Sequence, residues 1–515
     1  MDSPIVTQLF RQLFRRHPAC QSRRNLATLA TALRDVRQQR LHEQQLRLLQ
    51  QQHTPRRSYA IRSRGSARDA QSETNWQQRT DAFQQDMTEE FKAYPLVNAM
   101  DLRLRKTRPR RVKMLMRDFI EDSLYNPHYG YFSKQVVIFT PGEPFNFPAL
   151  YDELEFHSLL SRRYVQFEDS LDAVSPNETR QLWYTPTELF RPYYGEAIAR
   201  YLVANYKLTA YPYHDLIIYE MGAGRGTLML NILDYIREVD PAVYNRTKYR
   251  IIEISTQLAT LQNSQLMQSS AARGHSDKVE IINQSIFDWT NPVPSPCFFL
   301  AFEVFDNFAH DVIRYDMATQ KPMQGLVLID DNGDFYEFYT PQLDPVAARY
   351  FRVRDAATCG RYKVPYPTTR FGRWFANQKP LAPNLSEPEY IPTRLMEFFD
   401  VLGRYFPSHR LLTSDFHSLP GAIRGLNAPI VQTRFQRRPV PVSTPLVHQG
   451  YFDIMFPTNF QTAEATYQAI TGKLTKVLTH EEFMHHWAYV EDTETKSGEN
   501  PLLSWYKNAS VLFTV

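Results

Sequence analysis

Apolar positions along this chain fall into two spacings. The segment Leu216-Ile217-Ile218-Tyr219 and residues 249–252, 279–282, 298–302 and 411–415 are short runs dominated by apolar and β-branched side chains. Such runs predict buried strands of a parallel sheet. After the first of them Leu228, Ile232, Leu233 and Ile236 recur at i, i+4, i+5 and i+8, which predicts a helix laying one face on that sheet. Residues 326–329 and 335–339, joined around Asn332-Gly333, predict a β-hairpin. Strands alternating with helices predict an α/β fold, a doubly wound and mostly parallel sheet. No apolar run approaches the roughly 20 residues needed to cross a bilayer, so no transmembrane segment is expected.

The first strand leads directly into Glu220-Met-Gly222-Ala-Gly224-Arg-Gly226. Glycines there let the backbone turn sharply and approach a ligand, while the amides of the following helix face it. A dinucleotide fingerprint requires G-x-G-x-x-G, and here the third glycine comes one residue early, with Thr227 in the dinucleotide position. The E-x-G-x-G-x-G form is the variant of class I methyltransferases, with S-adenosylmethionine as cofactor. A nicotinamide-dependent oxidoreductase is disfavoured by the same spacing. Glu253, ending the second strand, is placed to accept both ribose hydroxyls, and Asp288, after the third, is the candidate for the adenine amine. Glu303 and Asp306 follow the next strand at the edge where open α/β sheets bind ligands.

Charge changes the picture only at the N-terminus. Residues 1–68 hold many arginines, no lysine, and as acids only Asp2, Asp35 and Glu43. Ile5, Val6, Leu9, Phe10, Leu13 and Phe14 share one side of a helix and Arg11 and Arg15 the other. This Arg-rich amphipathic pattern predicts a mitochondrial transit peptide, processed after Tyr59 in Arg56-Arg57-Ser58-Tyr59-Ala60. A glutamine-rich basic tail is the alternative. The segment lacks interleaved aromatics, so no nucleic acid is expected as a partner. Cys20, Cys297 and Cys359 show no C-x-x-C spacing, and neither a disulfide framework nor a metal site is indicated.

With the glycine turn, Glu253 and Ala301-Phe302-Glu303-Val304-Phe305-Asp306 taken together, the chain resembles the MidA family. The resemblance runs discontinuously from about residue 110 to the C-terminus. It includes the segment from Met116 through Asn126-Pro127 to Gly130-Tyr131-Phe132, Thr185-Pro186-Thr187-Glu188 with Gly195-Glu196, and 449–460 with Asp453. Ala223 stands where the family has proline, and Asp415-Phe416-His417 where it has D-Y-G. Residues 133–182 and about 340–405 look inserted.

The mitochondrial members of that family are protein arginine methyltransferases that assist assembly of respiratory complex I. The resemblance therefore implies a matrix enzyme methylating an arginine of a protein, a complex I subunit. Glu303 and Asp306 would clamp the guanidinium, and Glu188 and Glu196 would add to the pocket. The rival expectation is a noncatalytic assembly protein retaining the methyltransferase fold. The organisation expected is a leader over 1–70, an N-terminal helical and family-specific region over 71–183, and the methyltransferase domain over 184–515.

Overall fold

The computed structural model describes residues 76–78, 85–134, 136–253, 267–366 and 384–515. The predicted leader helix, the glutamine-rich stretch and the processing site lie outside the described residues.

Seven strands form the central sheet: β1 (Leu216–Met221), β2 (Thr247–Glu253), β3 (Val279–Asn283), β4 (Cys297–Phe302), β5 (His409–Phe416), β6 (Thr475–Thr479) and β7 (Ala509–Thr514). Their order is β3-β2-β1-β4-β5-β7-β6. β1 to β5 are mutually parallel, and β7 runs antiparallel to both β5 and β6. The order departs from the doubly wound 3-2-1-4-5-6 arrangement only by the antiparallel strand set between β5 and β6. This is the class I methyltransferase sheet that the glycine spacing predicts.

Among the described residues, helices α1 (Tyr193–Thr209), α2 (Thr227–Val239), α3 (Thr393–Tyr405), α4 (Phe460–Thr471) and α5 (His480–Trp487) cover the sheet. The strand period of two sorts the side chains between its faces. Ile218, Phe298, Leu300, Phe302 and Leu412 pack with Leu228, Ile232, Leu233 and Ile236 of α2 and with α1 and α5. Tyr219, Met221, Phe299, Ala301 and Leu411 pack on the other side against Leu395, Phe398 and Phe399 of α3 and Phe460 and Tyr467 of α4. β4 is buried at all six positions, as befits a strand covered on both faces. Each such large apolar side chain stabilises the fold by roughly 1.5–3 kcal/mol.

A second sheet grows out of the connection between β4 and β5. Strands Asp311–Tyr315, Pro322–Ile329, Phe335–Thr340 and Glu389–Ile391 pair antiparallel, and the predicted hairpin is its centre. Val112–Leu115 pairs with residues 326–329, and Trp76–Gln78 with 337–339. The region 71–183 carries helices as expected, Met116–Tyr125 and Glu153–Val174 among them, and also supplies two strands to a sheet whose other strands lie within 311–391. All described residues fall in one unit, 60–515. No helix among them is long and apolar enough to cross a membrane.

Candidate active site

The glycine turn sits at the C-terminal edge of β1. Gly222, Gly224 and Gly226 adopt φ of +72°, +53° and +76°, a region that side-chain-bearing residues enter at a cost. A Cβ on Gly222 would lie 3.0 Å from Val304 Cγ1, and one on Gly224 3.1 Å from Ile138 Cδ1. Ile138 ends the strand Val136–Ile138, which therefore closes over the turn. The N–H of Gly226 donates to the Ala223 carbonyl at 2.8 Å, so alanine serves in place of the family's proline. α2 begins at the next residue and turns its free first amides toward the edge of the sheet.

Two acids stand at the ends of β1 and β2. Glu220 is buried and accepts from the Tyr249 hydroxyl at 2.7 Å. Burial, opposed by that bond and reinforced by the charge of Glu253, raises its carboxyl to about 7. Burial alone raises Glu253 to about 7. Asp288 follows β3 on the short turn Ile286–Asp288, half-exposed and paired at 3.2 Å with Arg103 of the N-terminal region. The glycines, Glu253 and Asp288 thus line successive strand ends of one edge, as a nucleoside-bearing cofactor requires.

The second group of acids follows β4. Glu303 takes φ +55° and its N–H donates to the Ser414 carbonyl at 3.0 Å, a left-handed conformation held by the neighbouring strand. Asp415 at the end of β5 braces this loop. Its Oδ2 accepts from the N–H groups of Phe305 at 2.8 Å and Asp306 at 3.3 Å, and its Oδ1 from that of Phe416 at 2.7 Å. Asp306 is buried and its Oδ1 has no hydrogen-bond partner. Asp453 accepts from Asn307 Nδ2 at 3.1 Å. Burial, then the charges of Asp415 and Glu188, push Glu303 well above the carboxylate range. Burial, then Asp415, Asp453 and Glu303, do the same to Asp306. Burial raises Asp415 to about 6 and Asp453 to about 7. Among the described residues none of these four carboxylates pairs with a lysine, arginine or histidine.

Glu188 joins them. Its Oε1 accepts from Thr227 Oγ1 at 2.5 Å, at the start of α2, and its Oε2 is buried without a hydrogen bond. Glu196, expected in the same pocket, is elsewhere. Tyr194 of α1 faces the sheet against Phe302, and two residues further on the helix has turned about 200°. The groups acting on the Glu196 carboxyl are Asp492, Glu238 and Arg200. His310 is stacked on Phe456 at 3.8 Å, and burial lowers it to about 3; the neutral ring is a packing element.

The family-like segments outside the sheet explain one another. Helix Met116–Tyr125 roofs the second acid group, with the Tyr125 hydroxyl donating to the Asn307 carbonyl at 3.2 Å. A Cβ on Gly450 would lie 1.7 Å from the Tyr129 carbonyl oxygen, so only glycine lets the segment carrying Asp453 pass there. Asp415 and Asp453 escaped sequence reasoning as site residues. Both lie within the family-like segments; Asp415 ends an apolar strand, which was a signal, whereas Asp453 opens a three-residue strand that gives none.

Residues 197–479 match the family described as "Putative S-adenosyl-L-methionine-dependent methyltransferase". The chain is 25% identical over 384 residues to the "Protein arginine methyltransferase NDUFAF7 homolog, mitochondrial" of Schizosaccharomyces pombe, covering 73% of this chain and 80% of that one. It is 21% identical over 350 residues to the protein of the same name in Saccharomyces cerevisiae, covering 62% and 77%. A crystal structure from Burkholderia thailandensis with bound S-adenosyl-homocysteine aligns with a TM-score of 0.47 at 14% identity, over 78% of this chain and 88% of that one. With more than half of its length inside the matching family, and with its glycine turn and sheet order, the chain belongs to the S-adenosylmethionine-dependent methyltransferases of that family.

Proposed function

We propose that this protein transfers the methyl group of S-adenosylmethionine to an arginine side chain of a protein substrate in mitochondria. The observation that carries this reading is the set of buried acids at the acceptor end of the sheet, Glu303, Asp306, Asp415 and Asp453, without an internal counter-ion among the described residues. Buried carboxylates at this cost are retained where a cation completes them. A guanidinium is the side-chain cation whose planar fork matches carboxylates bidentately. The printed names of the two yeast relatives support the same acceptor and compartment. So does the Arg-rich leader pattern of residues 1–70.

S-adenosylmethionine, when bound, supplies an already activated methyl group. Gly222, Gly224, Gly226 and the first amides of α2 would hold it, with Glu253 toward the ribose and Asp288 toward the adenine. The remaining work is alignment, exclusion of water and handling of one proton. Glu303 and Asp306 hold the guanidinium, Asp415 keeps their loop in register, and Glu188 ties the acid pocket to the glycine turn through Thr227. As a nitrogen of the guanidinium is alkylated it sheds a proton, which the Glu303 carboxylate accepts. On this reading the acceptor protein is a subunit of respiratory complex I.

The test is transfer of labelled methyl from S-adenosylmethionine to mitochondrial protein from a strain lacking the gene, with the labelled residue identified by mass spectrometry. Methylarginine formed by the wild type, and lost in Glu303→Gln with cofactor binding intact, is the expected result. Label on another residue type ends the arginine reading. Cofactor binding without transfer by the wild type to any protein of that extract favours a noncatalytic assembly role.

A further inference from the structure

Glu303 sits among aromatic rings that neither the glycine turn nor the acid group accounts for. Tyr194, in the first turn of α1, meets Phe302 edge-on at 6.2 Å and stacks with His480 at 6.1 Å. His480 lies 5.8 Å from Tyr506, whose ring also packs 6.3 Å from Phe190 and from Phe416. Phe302 and Phe416 flank the strand ends from which Glu303 and Asp415 project, and the Glu303 N–H is bonded across to Ser414. These rings therefore pack around the strand ends that carry Glu303 and Asp415. Tyr506 is only 5% exposed, yet its hydroxyl has no hydrogen-bond partner. A buried hydroxyl left unpaired costs free energy in the unliganded fold. The carboxylate acting most strongly on it is Glu303.

Its neighbours already have partners. The Tyr194 hydroxyl, which feels the Glu303 charge as well, bonds Ser414. His480 uses Nε2 on the Leu502 carbonyl at 2.8 Å, which leaves Nδ1 without a proton to give. An ionised carboxylate is acceptor-only and needs donors.

We propose that Tyr506 is a positioning residue of the acceptor pocket: its hydroxyl donates to the Glu303 carboxylate when an acceptor cation is bound, and its ring and that of Tyr194 wall the slot for a planar cation. The inference rests on the reading of the acceptor as a guanidinium. In the empty pocket the Tyr506 hydroxyl bonds to nothing, Glu303 included, and Glu303, held well above the carboxylate range by burial, keeps its own proton. When a cation draws Glu303 into its ionised state, the idle donor fixes the plane of the carboxylate and so the direction of the nitrogen it holds. Desolvation keeps the Tyr506 phenol protonated, so it remains a donor throughout the physiological range.

Tyr506→Phe tests this with little disturbance, because it removes an oxygen that holds nothing in the unliganded fold. Tm should stay level or rise, and KM for S-adenosylmethionine should not change. In the labelled-methyl assay kcat should fall about ten- to a hundredfold, the range for losing a group that orients a primary ligand-holding residue. The pH at half-maximal rate should move upward, because a carboxylate deprived of a donor ionises less readily. Independently of turnover, calorimetric titration of methylguanidinium in the presence of S-adenosylhomocysteine should show binding weakened about fivefold or more in the variant. Equal methylguanidinium affinity and an unchanged pH profile overturn the proposal, as does a fall in kcat matched by a fall in Tm. If the wild type ignores methylguanidinium and labels another residue type, the guanidinium reading fails. The Tyr506 role then stands or falls on whether the variant's kcat drops with Tm unchanged.

Discussion

Asp453→Asn should make the protein more stable at pH 8, and by a clearly smaller margin at pH 5. The substitution keeps the shape of the side chain and an oxygen to accept from Asn307 Nδ2, at 3.1 Å in the native protein. It removes only the charge. Burial holds the Asp453 carboxyl protonated up to about 7, against 3.8 for the free side chain. Between those values the folded protein keeps a proton that the unfolded chain releases, so stability falls as pH rises through the window and the full cost is present above about 7. That cost is on the order of 4 kcal/mol for an isolated group, and about 2–4 kcal/mol where neighbouring acids share the protons. Asp306 also feels the charge of Asp453, and its relief acts in the same direction. Urea unfolding of both proteins at pH 5 and pH 8 measures the difference. If Asp453 instead served as a needed counter-charge, the variant would be less stable at pH 8. That result, or a gain equal at the two pH values, refutes the reasoning.

Gly224→Ala forces a side chain into φ +53° and against Ile138 Cδ1; it should cost about 1–2 kcal/mol of stability and weaken S-adenosylmethionine binding in calorimetry. Glu196→Gln should retain wild-type methyl transfer, since its carboxyl answers to Asp492, Glu238 and Arg200; loss of transfer would restore it to the pocket. For the wild type, kcat/KM for the acceptor should rise from pH 6 to pH 8. Asp415 and Asp453, held up to about 6 and about 7, ionise over that window and then hold a cation better. A profile that is flat, or that falls, would show that the acids are not the acceptor's partners.

β1, β4 and β5 were legible because they are buried on both faces and read as nearly unbroken apolar runs, whereas β2 and β3, which expose Lys248 and Glu280, showed only as short apolar segments. The same signal fails for β6, where Thr475, Lys476 and Thr479 flank only two apolar residues on a sheet edge. It fails again for Val112–Leu115 and Glu389–Ile391, three or four residues long and dependent on partners far away in sequence. The glycine turn was legible in full because its positive φ values admit little else. Of the pocket acids, Glu303 and Asp306 were visible at the end of an apolar strand, whereas Glu196 was misplaced by reading its motif without the helical period. Asp415 looked like a departure from the family pattern, yet its three bonds to backbone N–H groups depend on the carboxylate rather than on the two residues that differ after it. Nothing in the sequence marks Tyr506, which reaches the pocket only because β7 folds back beside β5.

What makes the acid pocket unusual is supplied from outside the central sheet. With the central sheet alone, Asp306 after β4 would face water at the open edge, as would Asp453 at the start of the strand Asp453–Met455, and carboxylates in water titrate near 4. The helix Met116–Tyr125 covers them, and Arg117 ties that helix to Asp311 of the second sheet and to Asp344 at 2.8 and 2.7 Å. Tyr125 then bonds the Asn307 carbonyl, and Gly450 lets the Asp453 segment close against Tyr129. The N-terminal region and the connection between β4 and β5 therefore act together as one wall that removes solvent from the acids. That desolvation raises their affinity for protons when the pocket is empty and strengthens their grip on a cation that displaces those protons. Breaking the tie with Arg117→Met should lower the pH at which the acceptor's kcat/KM rises and weaken acceptor binding, while S-adenosylmethionine affinity, set on the far side of Val304, stays within about twofold. An unchanged pH profile in that variant would mean that the roof does not govern the acids.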